Sequence, residues 1–208
     1  FPCVQNSYQQ ETLKYQVQSQ ARVKDCWQYA DLILCASSFT KSTLLAAGAN
    51  DRICQVIPYG VDLPGFSVQP PPEQFHALFV GSGIQRKGLH HLLYAWQQAR
   101  LPEDSLLTVV CRHLDPGIRD LLDRTKFVRL ISGVDLEGLN QLYATSSLFV
   151  MPSLVEGFGQ VFLEALSHGC PVLGTANTGL PDLGEEPEVI FLTEVGNIEQ
   201  LASKLEQL

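Results

Sequence analysis

Apolar positions are sparse in the first thirty residues and regular after residue 76. Phe1 to Ser7 shows no period. A polar run from about Tyr8 to Tyr29 has one weak apolar face, Val17, Ala21, Val23 and Trp27, and reads as a helix. ADLILCAS, residues 30–37, reads as a short buried strand. Ser38 is placed to cap a helix from Phe39 to about Ala47, which stops at Gly48. RICQVIPYGVD, residues 52–62, reads as a second strand closing in a Pro-Tyr-Gly turn, and GFSVQPPPEQF, residues 65–75, as a surface linker. Strands then follow at 76–82, 106–111, 127–132, 147–153, 171–175 and 189–193. Between them, helices are expected at about Leu89 to Ala99, Asp115 to Arg124 and Leu136 to Thr145, in the stretch before Gly169, and from Ile198 to Leu208. Strands that are near-continuous apolar runs, alternating with helices, predict an α/β fold: a doubly wound, Rossmann-like parallel sheet covered on both faces. Ligands on such a sheet sit at the carboxyl ends of the strands.

Two glycine-rich turns stand at those ends. EGFGQVFLEALSHGCPV, Glu156 to Val172, places two carboxylates eight residues apart. Glu156 falls on the loop rim and Glu164 about two turns into a helix that Gly169 and Pro171 stop. Gly157 and Gly159 allow close backbone approach, and free N–H groups at the helix start favour an anion. Carboxylates accept hydrogen bonds from sugar hydroxyls. The other turn is VGSGIQRKG, residues 80–88. It is not a P-loop, because Leu follows Gly88, and Arg86 stands where the dinucleotide fingerprint needs its third glycine. Taken alone, Arg86 and Lys87 read as solvated bases on a tight turn. Beside the first turn, Lys87 gains a purpose, since a fixed ammonium stabilises a departing diphosphate as its charge grows.

MPSLVEGFGQVFLEALSHGCPV resembles the Glu-x7-Glu signature of the retaining glycosyltransferases of family 4, also called group 1, which have the GT-B fold. The passage from Ala30 to Asp62 resembles that family's crossing between its two domains. The resemblance implies the tail of an N-terminal domain at 1–60, a linker at 61–75 and a nucleotide-sugar-binding C-terminal domain at 76–208. It implies that Lys87 and Glu156 serve catalysis, Lys87 at the donor diphosphate and Glu156 at the donor sugar hydroxyls. It places Glu164 on the ribose and gives Phe158 and Gly159 backbone contacts near the sugar and phosphates. Gly81, Ser82, Gly83, Arg86 and Gly157 complete the expected donor site. The family often has Arg where Ser82 stands, and Arg86 is the candidate to supply that charge.

The implied reaction moves a hexosyl group from a nucleoside diphosphate sugar to a hydroxyl of a glycan, lipid or small molecule, with retention, in carbohydrate biosynthesis. Two glutamates also invite double displacement. Front-face attack, with a phosphate oxygen taking the proton, is the family's usual proposal and leaves Glu164 for the ribose. No cofactor or metal is expected. Asp-x-Asp is absent, Asp135 of Asp135-Leu136-Glu137 is placed to cap a helix, and His90 and His91 read as surface or packing residues. Asn177 to Pro181 reads as a turn and resembles a family loop beside the donor.

Composition narrows the rest. The chain has 208 residues, 45% hydrophobic and 17% charged, which is globular rather than disordered. A net charge of −8 argues against nucleic acid as a partner. Six scattered cysteines without zinc spacing fit buried thiols in a reducing cytoplasm. The resemblance still allows peripheral membrane association of the full-length enzyme. The chain begins at Phe1 and holds too little before Ala30 for a domain. It is therefore expected to lack most of an N-terminal domain, to bind a nucleotide sugar weakly and to transfer nothing alone. Three rivals differ in chemistry. A GT-B epimerase or phosphorylase would yield an epimerised donor or a sugar phosphate, and a non-catalytic binding module would yield no product. A Rossmann oxidoreductase would need the missing third glycine.

Overall fold

A computed structural model of the chain describes residues 26–27, 29–63, 72–184 and 186–208. The expected helix at 8–29 lies outside these residues except at its end, and most of the 65–75 linker lies outside them too. The first unit consists of β1 (Ile33–Cys35), α1 (Ser38–Ala46) and β2 (Cys54–Val56), the two strands paired in parallel with Ile33 opposite Cys54. Both strands are shorter than the apolar runs suggest. A 3-10 turn over Asp51–Ile53 takes the start of the second run, and Leu32 and Leu34 are 54% and 60% exposed rather than buried. Ser37, not Ser38, is the N-cap of α1, and its hydroxyl accepts from the Thr40 amide at 2.9 Å. The serine one residue earlier has the extended backbone that a cap needs.

The second unit is the doubly wound sheet. It contains β3 (His76–Val80), α2 (Leu89–Gln98), β4 (Leu106–Val110), α3 (Pro116–Arg124) and β5 (Val128–Ile131). The chain then crosses through α4 (Leu136–Ala144) to β6 (Leu148–Val150), α5 (Gln160–Ser167), β7 (Val172–Thr175), β8 (Ile190–Thr193) and α6 (Ile198–Gln207). All pairings are parallel and the strand order is β5-β4-β3-β6-β7-β8. Helices α3 and α6 pack on α2, and α4 packs on α5, as the reversal of strand order after β5 requires. The core follows from the apolar runs. Ala77, Leu78 and Phe79 of β3 and Phe149 and Val150 of β6 are wholly buried. The Phe149 ring meets the Phe162 ring of α5 edge-on at 5.7 Å. Asp135 caps α4, accepting from the Gly138 amide at 2.9 Å. Cys35, Cys54, Cys111 and Cys170 are buried free thiols, and burial pushes Cys170 up to about 12. No helix of the described residues is long and apolar enough to cross a membrane.

Candidate functional site

Strand order reverses between β3 and β6, so the connections leaving their carboxyl ends run to opposite faces, the place where an open parallel sheet forms its ligand crevice. The loop after β3 carries Gly81 to Lys87 and the loop after β6 carries Glu156, so both sequence-predicted turns open on this crevice.

The β3 loop is pinned from the side of β4. The Gly81 amide donates to the Val110 carbonyl at 3.0 Å and the Gly83 amide to the His113 carbonyl at 2.7 Å. Gly83 is closely packed: a Cβ there would lie 2.1 Å from Leu114 Cδ1, so that leucine would have to move to admit a side chain. Ser82, between them, is exposed. The chain then turns through a 3-10 segment, Gln85–Lys87, into Gly88, whose φ of 74° lies in the left-handed region. Gly88 packs directly on the β6 loop, where a Cβ would fall 1.9 Å from the Pro152 carbonyl oxygen. The Leu154 amide donates to the Arg86 carbonyl at 2.9 Å, which fastens the two loops together.

That fastening brings Glu156 onto the bases. Its Oε2 accepts from Lys87 Nζ and, at 2.8 Å, from an Arg86 guanidinium nitrogen that also donates to the Val155 carbonyl at 3.0 Å. The Lys87 and Glu156 side chains are only 15% and 16% exposed, whereas Arg86 is 46% exposed. Burial alone raises the Glu156 pKa, but the hydrogen bonds and charges of Lys87 and Arg86 outweigh it and hold the carboxyl below its usual range. Two cations thus converge on one oxygen in a half-buried crevice, a place shaped for an anion.

The rest of the β6 loop is braced from several elements. The Glu156 amide donates to the Asn177 carbonyl at 2.9 Å, and Asn177 Nδ2 to the Leu154 carbonyl at 3.0 Å. Phe158 is 3% exposed and faces Gly179, where a Cβ would lie 2.4 Å from its ring. Gly159, φ 89°, starts α5. Glu164 therefore lies just over one turn into that helix rather than two, because the helix begins at Gln160. One Glu164 oxygen, Oε2, accepts from Tyr143 Oη at 2.9 Å.

The first unit also reaches this loop, which sequence reasoning missed. Ser37 and Thr40 hydroxyls both donate to the Gly157 carbonyl, and the Ser38 amide donates to Asp182 Oδ2 at 2.6 Å. The Tyr59 ring meets Phe158 edge-on at 5.3 Å. These partners lie 99 to 144 residues from the groups they touch and share no local pattern, so only the Ser-capped helix was a signal. His90 and His91 pack together with ring centroids 4.0 Å apart. No group of three His, Cys, Asp or Glu side chains able to hold a metal occurs among the described residues. Two cavities of about 390 and 400 Å3 lie at the opposite, amino-terminal strand ends, near Phe127 and near His76. Neither lies at the carboxyl ends of the strands, where an open parallel sheet holds its ligand, so the crevice is the better candidate.

The model of the family described as glycosyl transferases group 1 matches residues 74–208. The chain is 27% identical over 194 residues to the MMP alpha-(1->4)-mannosyltransferase of Mycolicibacterium hassiacum, covering 87% of this chain and 46% of that protein. It is 34% identical over 117 residues to the O-antigen chain mannosyltransferase B of Escherichia coli, covering 53% of this chain and 31% of that one. The chain thus spans less than half the length of these two curated relatives. Among solved structures, Anabaena HepE in complex with UDP and glucose superposes with a TM-score of 0.76 at 21% identity, over 90% of this chain and 57% of that one. WaaG, a glycosyltransferase involved in lipopolysaccharide biosynthesis, superposes at 0.70 with 20% identity, over 99% and 65%. At that identity the superpositions establish the fold, and the family match, across well over half of the residues, establishes the kinship. The chain belongs to the group 1 glycosyltransferases and carries a Rossmann-like domain of their GT-B fold.

Proposed function

We propose that these residues are the donor half of a retaining family 4 glycosyltransferase, with 1–60 as the tail of the N-terminal domain and 76–208 as the C-terminal domain. The whole enzyme moves a hexosyl group from a nucleoside diphosphate sugar to an acceptor hydroxyl. The observation that carries this reading is the meeting of Lys87, Arg86 and Glu156 at the switch point of the sheet.

In this reading the donor diphosphate takes over the two cations that Glu156 now holds. Lys87 stabilises the leaving diphosphate as the glycosidic bond breaks, which favours the transition state over the ground state. Arg86 adds charge where the family has Arg and this chain has the exposed Ser82. Released from its cations, Glu156 accepts hydrogen bonds from the sugar hydroxyls. Gly81, Ser82, Gly83 and the Gly157–Gly159 backbone line the donor, and Glu164 takes the ribose. The protein's own cations supply the charge relief, so no metal or cofactor is invoked. The acceptor is a glycan, lipid or small molecule held largely by the rest of the N-terminal domain. This chain alone binds donor weakly and transfers nothing. We place the enzyme in the cytoplasm, with peripheral membrane association where the acceptor is a lipid.

The two glutamates separate by experiment. Glu164→Ala should weaken binding of the bare nucleoside diphosphate, because the ribose contact does not need the sugar. Glu156→Ala should weaken only the sugar-bearing donor. A hydrogen bond to a charged acceptor contributes roughly 1.5–3 kcal/mol, so calorimetry with UDP, GDP and ADP and their sugars resolves each loss. Equal binding of the bare diphosphate by both variants contradicts the assignment.

A further inference from the structure

We propose that Tyr143 is a positioning residue of the donor site: its hydroxyl holds the Glu164 carboxylate ready for the nucleoside ribose. The inference rests on the reading of Glu164 as the ribose ligand and assigns a new residue to that contact. Tyr143 lies on α4 and Glu164 on α5, two helices packed side by side, and Tyr143 Oη donates to Glu164 Oε2 at 2.9 Å. The tyrosine cannot wander. It is 1% exposed, its ring meets Phe149 edge-on at 5.8 Å, and it stacks on His168 at 5.7 Å. His168 Nδ1 in turn lies 2.8 Å from the Glu164 carbonyl oxygen, which ties the stack to the backbone of the same glutamate.

Core packing alone does not call for a hydroxyl at Tyr143, since a phenylalanine ring would fill the same space. Burial of a phenol hydroxyl costs free energy unless it is bonded, and here its partner is a partly exposed carboxylate at the sheet's working end. Burial, and then the Glu164 charge, push the Tyr143 pKa well above the phenol range, so the hydroxyl keeps its proton and remains a donor. A glutamate side chain free in solvent must lose rotamer freedom when it grips a ligand. With Oε2 pinned, that loss is incurred on folding, and the carboxylate meets the ribose hydroxyls already oriented.

The test uses Tyr143→Phe, which keeps the ring and removes the donor. Binding of UDP, GDP and ADP, and of their 2′-deoxy forms, is measured by calorimetry for the parent chain, Tyr143→Phe and Glu164→Ala, with thermal melting as a control. The expected result is about tenfold weaker binding of the preferred ribonucleotide by Tyr143→Phe. Its preference for ribo over deoxy should shrink, because the deoxy form has less to lose. Equal weakening of both forms shows a structural role only and overturns the proposal. So does parental binding by Tyr143→Phe when Glu164→Ala has lost affinity, and in that case the ribose reading of Glu164 survives. If Glu164→Ala binds like the parent chain, or the parent chain binds none of the three ribonucleotides, the ribose reading and the Tyr143 role fall together.

Discussion

Glu156 Oε2 serves two cations at once, and that choice explains what was and was not readable around it. Glu156 and Lys87 stood out through the glycine-rich turns that carry them and the family pattern those turns resemble; taken alone, Lys87 read as a solvated base. Arg86, the candidate to supply the charge missing at Ser82, spans Glu156 and the Val155 carbonyl with its guanidinium. Tyr143 was not legible, because an aromatic in an apolar helical face reads as core and its carboxylate partner lies 21 residues away. The histidine pair shows how packing alone shifts a titration. Burial, and then the adjoining His91, push His90 down to about 4 from an ordinary 6.5. The unfolded chain takes up a proton near 6.5 that the native state resists until about 4. His90 thus contributes stability that is full above 6.5 and is lost as pH falls from 6.5 towards 4. His90→Gln should flatten the slope of unfolding free energy against pH in that window, measured by urea titration at several pH values. An unchanged slope would show that His90 titrates normally in the native chain.

Among the elements, the loops after β3 and β6 matter most, because each is built to touch the other. Glycine supplies the closest contact. Gly88 combines a left-handed backbone with a Cβ direction aimed at the Pro152 carbonyl, so Gly88→Ala must strain the turn and push the loops apart. About 2 kcal/mol or more of stability should be lost, with the urea m-value unchanged. A variant that unfolds at the parental midpoint would mean the loops are not pressed together there. The elements themselves were legible where a long apolar run is covered on both faces, as in β3 and β4, whereas β6, expected over 147–153, forms only over Leu148–Val150. They were overextended in β1 and β2, where the same apolar letters are half exposed and only three residues of each pair. Periodicity reports which residues avoid water, and in that first unit Leu32, Leu34 and Ile57 do not. The docking of α1 on Gly157 and Asp182 was invisible for a further reason: backbone carbonyls and amides leave no trace in the order of side chains.

The whole molecule follows the rule that an open parallel sheet binds its ligand where strand order reverses. The reversal between β3 and β6, the cations on one loop and the carboxylate on the other all meet at that point. The chain spans less than half the length of the two curated relatives compared here, and its first unit presents Leu32, Leu34, Ile57 and Tyr59 to solvent. The central claim, that the crevice holds a donor diphosphate on Lys87, has a direct test in this chain. UDP-glucose, GDP-mannose and ADP-glucose are titrated by calorimetry into the parent chain and into Lys87→Ala, at low and at raised salt. The account predicts that one of the three binds, that raised salt weakens it, and that Lys87→Ala lowers its affinity at least about tenfold, as loss of a charged hydrogen bond requires. Binding of none of them at millimolar concentration, or equal binding by Lys87→Ala, would contradict it.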